Sequence, residues 1–533
     1  MPATLNIPRY FNIAGPCDPE DHYMLPAIER LPEVRDLVEQ KQYFVIHAAR
    51  QSGKTTFLRA MTDAINAEGR FYALYCSLEA LQDEEDMPRG MESALTALRL
   101  ALNKSPVNAL CRLQDGFGDL AGFGPAGIVS MALTNLCRAL DRPLVVFFDE
   151  ADCLSGQTLI TFLRQLREGY VNRSSAPFPR SLALAGMRDI RDYKARVRPD
   201  SQTLGSASPF NIIAEAVTLA NFTPAEIGRL YQQHAAATGQ VFEPGALARA
   251  AYWTEGQPWL VNAIARQAIE KDLRKDYART VTAAHIDAAA DAIGKRRDTH
   301  IDSLLERLKE PRVRKIIEPM LASVRGEVSL LDDDTKFCLD LGLVVPERIN
   351  RGGRPEGLRP ANPIYADVIV RTLGVDTQDA LPAELENKWF VDGRLDMTGL
   401  LREFQRFWRE NADAWVEHYD YKEAAPHLIL QAFLQRVVNG GAHIAREFAL
   451  GRGRVDLCVE YGEYKHPVEL KLASGPKART EGLEQTAGYM ERCGAKEGWL
   501  VIFDRRPGKS WDGKIAWATE ARPDGKTIHV VGC

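Results

Sequence analysis

Residues 44–55 read Phe44-Val45-Ile46-His47-Ala48-Ala49-Arg50-Gln51-Ser52-Gly53-Lys54-Thr55, an apolar run that breaks into a loop and ends on a lysine and a hydroxyl. The run 44–48 predicts a strand, and Thr55 to Ala67 continues with helical spacing, so the order is strand, loop, helix. In that setting main-chain N–H groups at the helix start wrap an anion, the lysine reaches terminal phosphates, and the next hydroxyl ligates Mg²⁺. Those roles fall to Ala49, Arg50, Gln51, Ser52 and Gly53 for the loop, and to Lys54, Thr55 and Thr56 for the first helical turn. Ala48 replaces the first glycine usual in such loops.

Working outward, Phe71–Ser77, Leu144–Phe148 and Leu182–Ala185 are near-continuous apolar runs, as parallel strands buried on both faces require. Helical segments separate them, so residues 1–215 predict an α/β domain. Leu144–Phe148 runs into Asp149-Glu150, which puts one carboxylate near Mg²⁺ and the next where it orients an attacking water. Leu182–Ala185 runs into Gly186-Met187-Arg188-Asp189, where Arg188 can sense a γ-phosphate or simply close a salt bridge. Gly116–Gly127 is glycine-rich and predicts a surface loop.

From Thr223, with Pro224 at a helix start, to about Ala292 the pattern is helical, a lid over 216–300. Residues 301–374 predict a winged helix: one helix Ile301–Leu321, then Gly342-Leu343-Val344-Val345, a basic loop with Arg351 and Arg354, and Asn362-Pro363-Ile364-Tyr365 opening a last helix. Residues 375–420 predict a polar, tryptophan-bearing helical connector, and 421–533 a second α/β unit.

At 533 residues the chain is too long for one core. A hydrophobic content of 45% and a charged content of 26% are ordinary for globular protein. No apolar run of about 18 residues occurs, and the N-terminus lacks the basic flank and apolar core of a signal peptide. The missing apolar run predicts no membrane, and the nine cysteines, scattered singly without zinc or redox spacing, predict a reduced, cytoplasmic setting. Net charge is −5, but residues 421–533 hold 17 Lys and Arg against 14 Asp and Glu, permitting nucleic-acid contact there.

That last unit carries a second constellation. Asp456 precedes Glu469-Leu470-Lys471 by thirteen residues. Alternate strand residues share a face, so Glu469 and Lys471 point into one site while Leu470 turns to the core. Two carboxylates that hold a metal, with a cation beside the nucleophile, suit phosphodiester hydrolysis. An exposed charged strand is the plainer reading. His427 and His466 have no partner at ligand spacing, and Lys295-Arg296-Arg297 and Arg312/Arg314/Lys315 read first as solvated charge.

The phosphate loop, the Asp149-Glu150 strand and the Arg188 segment together resemble the AAA-like and STAND-type P-loop ATPases over about residues 8–373. Gly256 and Pro258 of Gly256-Gln257-Pro258-Trp259 look like the lid motif that contacts the nucleotide in that family, and Tyr10–Tyr23 occupies the segment that flanks the adenine. The resemblance implies ATP and Mg²⁺ as cofactors, conformational switching by ATP hydrolysis, and homo-oligomers formed through the ATPase domain. The C-terminal unit resembles the PD-(D/E)XK nuclease superfamily, and in layout the nuclease-like domain fused to bacterial and archaeal AAA-ATPases. That likeness assigns metal ligation to Asp456 and Glu469, catalysis to Lys471, a third carboxylate to Glu423, and accessory places to Glu447, Gln485 and Tyr489. Val455 stands where the superfamily's proline is usual. Mn²⁺ as well as Mg²⁺ is implied there, with DNA preferred to RNA as partner. The combined expectation is an ATP-switched nuclease acting against mobile DNA. Its rival is an ATP-dependent regulatory, scaffold or DNA-repair protein whose last domain binds without cutting.

Overall fold

The computed structural model of the chain describes residues 9–82, 84–113, 120, 122–187, 209–296, 299–321, 332–347, 357–373, 389–391, 394–416, 425–438, 443–445, 457–461, 464–473, 476–504, 506 and 509–533. The chain divides into two compact units, one of residues 1–293 with 340–342, the other of 294–339 with 343–533.

The first unit is built on five parallel strands: β1 (Tyr43–His47), β2 (Tyr72–Ser77), β3 (Leu144–Asp149), β4 (Ser181–Gly186) and β5 (Ile213–Thr218), in the order β2-β3-β4-β1-β5. Strand alternation sends Tyr43 and Val45 into a core against the helices Met87–Lys104, Ile128–Ala139 and Gly156–Asn172. Phe44 and Ile46 enter the opposite core, against Glu33–Glu39 and Lys54–Glu68. Phe57, Leu58 and Met61 of the latter helix are fully buried, each stabilising by roughly 2 kcal/mol. Covered on both faces, the sheet has the near-continuous apolar strands that a parallel α/β sheet requires. Strand β5 was not legible in the sequence, because at the sheet edge it buries only Val217 well.

Helix Lys54–Glu68 is bracketed by two glycines with left-handed backbones, Gly53 (φ 95°) and Gly69 (φ 72°), so loop and helix meet at a position that disfavours a side chain. The helix Pro224–Thr238 opens with a full capping box, Thr223 and Glu226 bonding each other's main chain, with proline in the first turn.

In the second unit the helix expected over 301–321 is two, Thr299–Leu308 and Pro311–Leu321. Pro311 cannot donate into a continuing helix, and Lys309 and Glu310 close the first one with bonds to Glu306 and Arg307. The strands β6 (Val344–Pro346) and β7 (Leu358–Pro360) pair antiparallel, and Asn362 caps the helix Pro363–Leu373 by accepting from Tyr365 N at 2.9 Å. A small hairpin, β8 (Phe390–Val391) and β9 (Arg394–Leu395), leads to the helix Met397–Val416.

The C-terminal sheet contains β10 (His443–Ala445), β11 (Leu457–Tyr461), β12 (Tyr464–Leu472), β13 (Glu497–Phe503), β14 (Ala516–Ala521) and β15 (Thr527–Gly532) in the order β10-β11-β12-β13-β15-β14. The first three form an antiparallel meander; β13 joins β12 in parallel after the helix Pro476–Cys493. The helix Met397–Val416, in the stretch expected as a connector, is core. Phe404 meets Phe433 at 5.2 Å, Trp408 meets Phe503 at 5.1 Å, and Gln405 Nε2 donates to the carbonyls of Ala516 and Gly532. No described helix is long and apolar enough to cross a membrane.

Candidate functional site

The loop between β1 and helix Lys54–Glu68 opens at the carboxyl end of the parallel sheet, where neighbouring strands β1 and β4 send their connections in opposite directions, the place such sheets bind ligands. Lys54, on the first turn, is buried, and its Nζ donates to the carbonyls of Ala48 and Ala49 at 2.8 and 3.2 Å. Burial lowers the Lys54 ammonium; Glu150, Asp152 and Asp149 act the other way. Thr55 Oγ1 donates to Asp149 Oδ2 at 2.7 Å, and Tyr75 OH, from the neighbouring strand, reaches the same oxygen at 2.9 Å. The Asp149 carboxylate, 1% exposed, is thus held by two hydroxyls at the end of β3.

Glu150 sits in the left-handed region at φ 55°, a conformation uncommon for a residue with a side chain. Desolvation pushes its carboxyl up, Asp149 and Asp152 push it further, and Lys54 opposes them. Asp152 ties β3 to β4 by accepting from Met187 N at 3.0 Å. Thr56 Oγ1 accepts from Cys17 N at 3.0 Å, and Arg50 O from Gln257 Nε2 at 3.4 Å. Trp259 Nε1 donates to Ile13 O at 2.7 Å, so the segment 10–23 is fastened to both the helix after the loop and the helix Pro258–Arg266. Gly256 is left-handed at φ 76°, and a Cβ there would lie 1.8 Å from Phe222 O. Pro258 begins the helix Pro258–Arg266 that follows.

Loop, lysine, hydroxyl, Asp149, Glu150, Gly256 and Pro258 are therefore neighbours in one unit, while Arg188 lies outside the described residues. The donor set fits a nucleotide with its metal. Thr55 and Asp149 are hard oxygen donors of the kind Mg²⁺ takes, and Ser52 Oγ and Gln51 Oε1 are buried without a hydrogen-bond partner among the described residues. Sequence reading missed Tyr75 and Asp152, whose contacts depend on strand pairing and on the folded chain.

On β12, Lys471 Nζ lies 2.8 Å from Glu469 Oε1. The pair shares a face, as alternation requires, but Glu469 is only 2% exposed. Its register partner Leu500 packs in the core that includes Met490 of the helix Pro476–Cys493, so that helix covers this face of the sheet. Gln485 is exposed on that helix, where Thr486 and Tyr489 take the buried positions. Asp456, Glu423 and Glu447 lie outside the described residues, as do Arg351 and Arg354. His427 is buried and His466 half-buried, and desolvation lowers His466 to about 4. The basic run on helix Pro311–Leu321 is paired within the fold: Arg312 and Lys315 with Asp334, Arg314 with the buried Glu318.

Residues 399–506 match a family described as a domain of unknown function, DUF8371. The match begins within the helix Met397–Val416 and takes in β10 to β13. No curated protein matches the chain. Among solved structures, the Walker-type ATPase PABY2304 of Pyrococcus abyssi is 16% identical with a TM-score of 0.47, over 67% of this chain and 99% of that one. Cdc6p from Pyrobaculum aerophilum is 13% identical with a TM-score of 0.37, over 66% and 95%. Drosophila ORC bound to DNA is 13% identical at 0.33, over 66% and 87%. These are distant likenesses, and the chemistry rests on the residues themselves.

Proposed function

We propose that the first unit binds and hydrolyses ATP with Mg²⁺, and that the cycle gates a metal-dependent nuclease in the second. The observation that carries the first part is the meeting of Lys54, Thr55 and Asp149, with the threonine hydroxyl 2.7 Å from the carboxylate. Bound Mg²⁺ would be held by Thr55 and Asp149 and would neutralise phosphate charge. Lys54 exchanges its main-chain carbonyls for terminal phosphate oxygens, and main-chain N–H groups from Ala49 to Gly53 wrap the rest. Glu150 orients the attacking water and accepts its proton, for which a raised pKa brings it nearer working pH. Segment 10–23 flanks the base, and Gly256 and Pro258 carry occupancy to the lid.

The second part is supported by the Glu469–Lys471 pair and by the succession helix Ala425–Val438, β10, β11, β12, helix Pro476–Cys493, β13. In this reading Asp456 and Glu469 would hold a metal that polarises the phosphate, and Lys471 would stabilise charge beside the scissile bond. Nucleic acid, DNA before RNA, is the substrate; homo-oligomerisation through the first unit and a role against mobile DNA belong to the same reading. The test is incubation of the full chain with labelled single- and double-stranded DNA and RNA, with Mg²⁺ or Mn²⁺, with and without ATP. Cleavage lost in Asp456→Ala and Lys471→Ala supports the nuclease. Binding without cleavage, unchanged in both variants, supports a regulatory or repair role instead.

A further inference from the structure

Arg30 lies at the end of the 3₁₀ turn Ala27–Arg30, ahead of the first helix and remote in sequence from the phosphate loop. Its Nη1 donates to Ser52 O, inside the loop, at 3.0 Å, and lies 3.3 Å from where a side chain on Gly53 would start. Its Nη2 donates to Ala220 O, in the segment joining β5 to the lid, and its guanidinium lies over the Phe222 ring at 4.7 Å. Phe222 N in turn donates to Gly256 O at 2.8 Å. One side chain therefore spans loop, lid entry and the Gly256 turn. Burial lowers its pKa to about 10, leaving it charged at neutral pH, and Glu226 of the first lid helix acts on it electrostatically. Its hydrogen bonds go to main-chain carbonyls, so it fixes backbone positions while adding positive potential behind the phosphate cradle.

We infer that Arg30 is a positioning residue of the nucleotide site: it clamps the phosphate loop to the lid hinge, so that loop and lid respond together when a nucleoside di- or triphosphate binds. The inference rests on the nucleotide reading above. A planar guanidinium can hold two carbonyls at fixed separation and stack on a ring, which an ammonium cannot do at once. The clamp acts on the loop and not on the base, so its loss should weaken ligands in proportion to the phosphates the loop must wrap.

The experiment is calorimetric titration of the full chain with ATP, ADP and AMP, for wild type, Arg30→Gln, Arg30→Lys, Phe222→Leu and Lys54→Ala. Hydrogen exchange of the peptides covering residues 48–56 and 219–258 accompanies it. Arg30→Gln should weaken ATP and ADP by about 10- to 100-fold, the scale of hydrogen bonds to a charged group, and AMP by less than about threefold. At saturating ATP it should lack the protection that wild type gains at the lid hinge, and Arg30→Lys should fall between the two. Wild-type affinity and protection in Arg30→Gln, or equal weakening of all three nucleotides, overturns the inference. If Arg30→Gln does not fold, Arg30→Lys and Phe222→Leu decide: reduced hinge protection in both supports the clamp, and wild-type behaviour in both overturns it. Lys54→Ala separates the two levels. If it binds ATP as wild type does, the nucleotide reading fails and the clamp with it. If it alone loses ATP while Arg30→Gln does not, only the clamp fails.

Discussion

Each unit has a lysine beside buried acid, and the two lysines are held differently. Lys54 bonds to neutral carbonyls of its own loop, while Asp149 is satisfied separately by the hydroxyls of Thr55 and Tyr75. Lys471 bonds directly to Glu469, two residues away on one strand, and the carboxylate is almost wholly enclosed. The first arrangement leaves a cation free to trade weak partners for phosphate, with its acids already placed for a metal. The second locks cation and acid together, and a ligand must separate or extend the pair. A pre-built cradle and a self-paired site should therefore respond oppositely to the same substitution.

The largest effect is expected at Lys54. Lys54→Ala should weaken ATP by at least about 100-fold, since a charge-assisted bond to phosphate is lost, whereas Lys471→Ala should leave ATP affinity unchanged. Titration calorimetry reads both, and equal losses would erase the distinction. Stability should run the other way. Lys471→Met removes one cationic partner of the buried Glu469 and should cost about 2 kcal/mol in urea unfolding, less than a fully buried pair because Lys471 is 23% exposed. Lys54→Met removes a cation that burial already disfavours and should cost under about 1 kcal/mol. A larger cost at position 54 than at 471 would reverse the comparison.

A smaller effect concerns pH. The Glu150 carboxyl is raised by burial and by Asp149 and Asp152, so it protonates at higher pH than a free glutamate. Hydrolysis, which needs it ionised, should fall on acidification at a pH above the ordinary glutamate range. An acid limb at or below that range would remove Glu150 as the base. The smallest effect is Tyr75→Phe, which takes one hydroxyl from Asp149 and should cost about 1 kcal/mol in stability and slow hydrolysis a few-fold. Unchanged stability and rate would mean that Thr55 alone suffices.

What the sequence disclosed follows from where each signal resides. The cradle is local: strand, loop, lysine and hydroxyl are consecutive, and β3 carries its two acids at its end, so contiguous reading found them. Tyr75 and Arg30 act through strand pairing and a folded-back turn, which no spacing rule encodes. Strand β5 hid because an edge strand alternates weakly, and one expected helix became two at Pro311. The stretch expected as a connector hid a core helix because its charged residues mask a stripe of Phe404, Trp408 and Ala412. On β12 alternation predicted the shared face of Glu469 and Lys471 but not its cover, which the helix Pro476–Cys493 supplies.

The most direct test of the ATP assignment is a single-turnover experiment with radiolabelled ATP on wild type, Lys54→Ala and Glu150→Gln. Wild type should bind and release phosphate, Lys54→Ala should do neither, and Glu150→Gln should retain uncleaved ATP, because Thr55 and Asp149 still hold the metal while the water has lost its carboxylate. Hydrolysis at the wild-type rate in both variants would contradict the account.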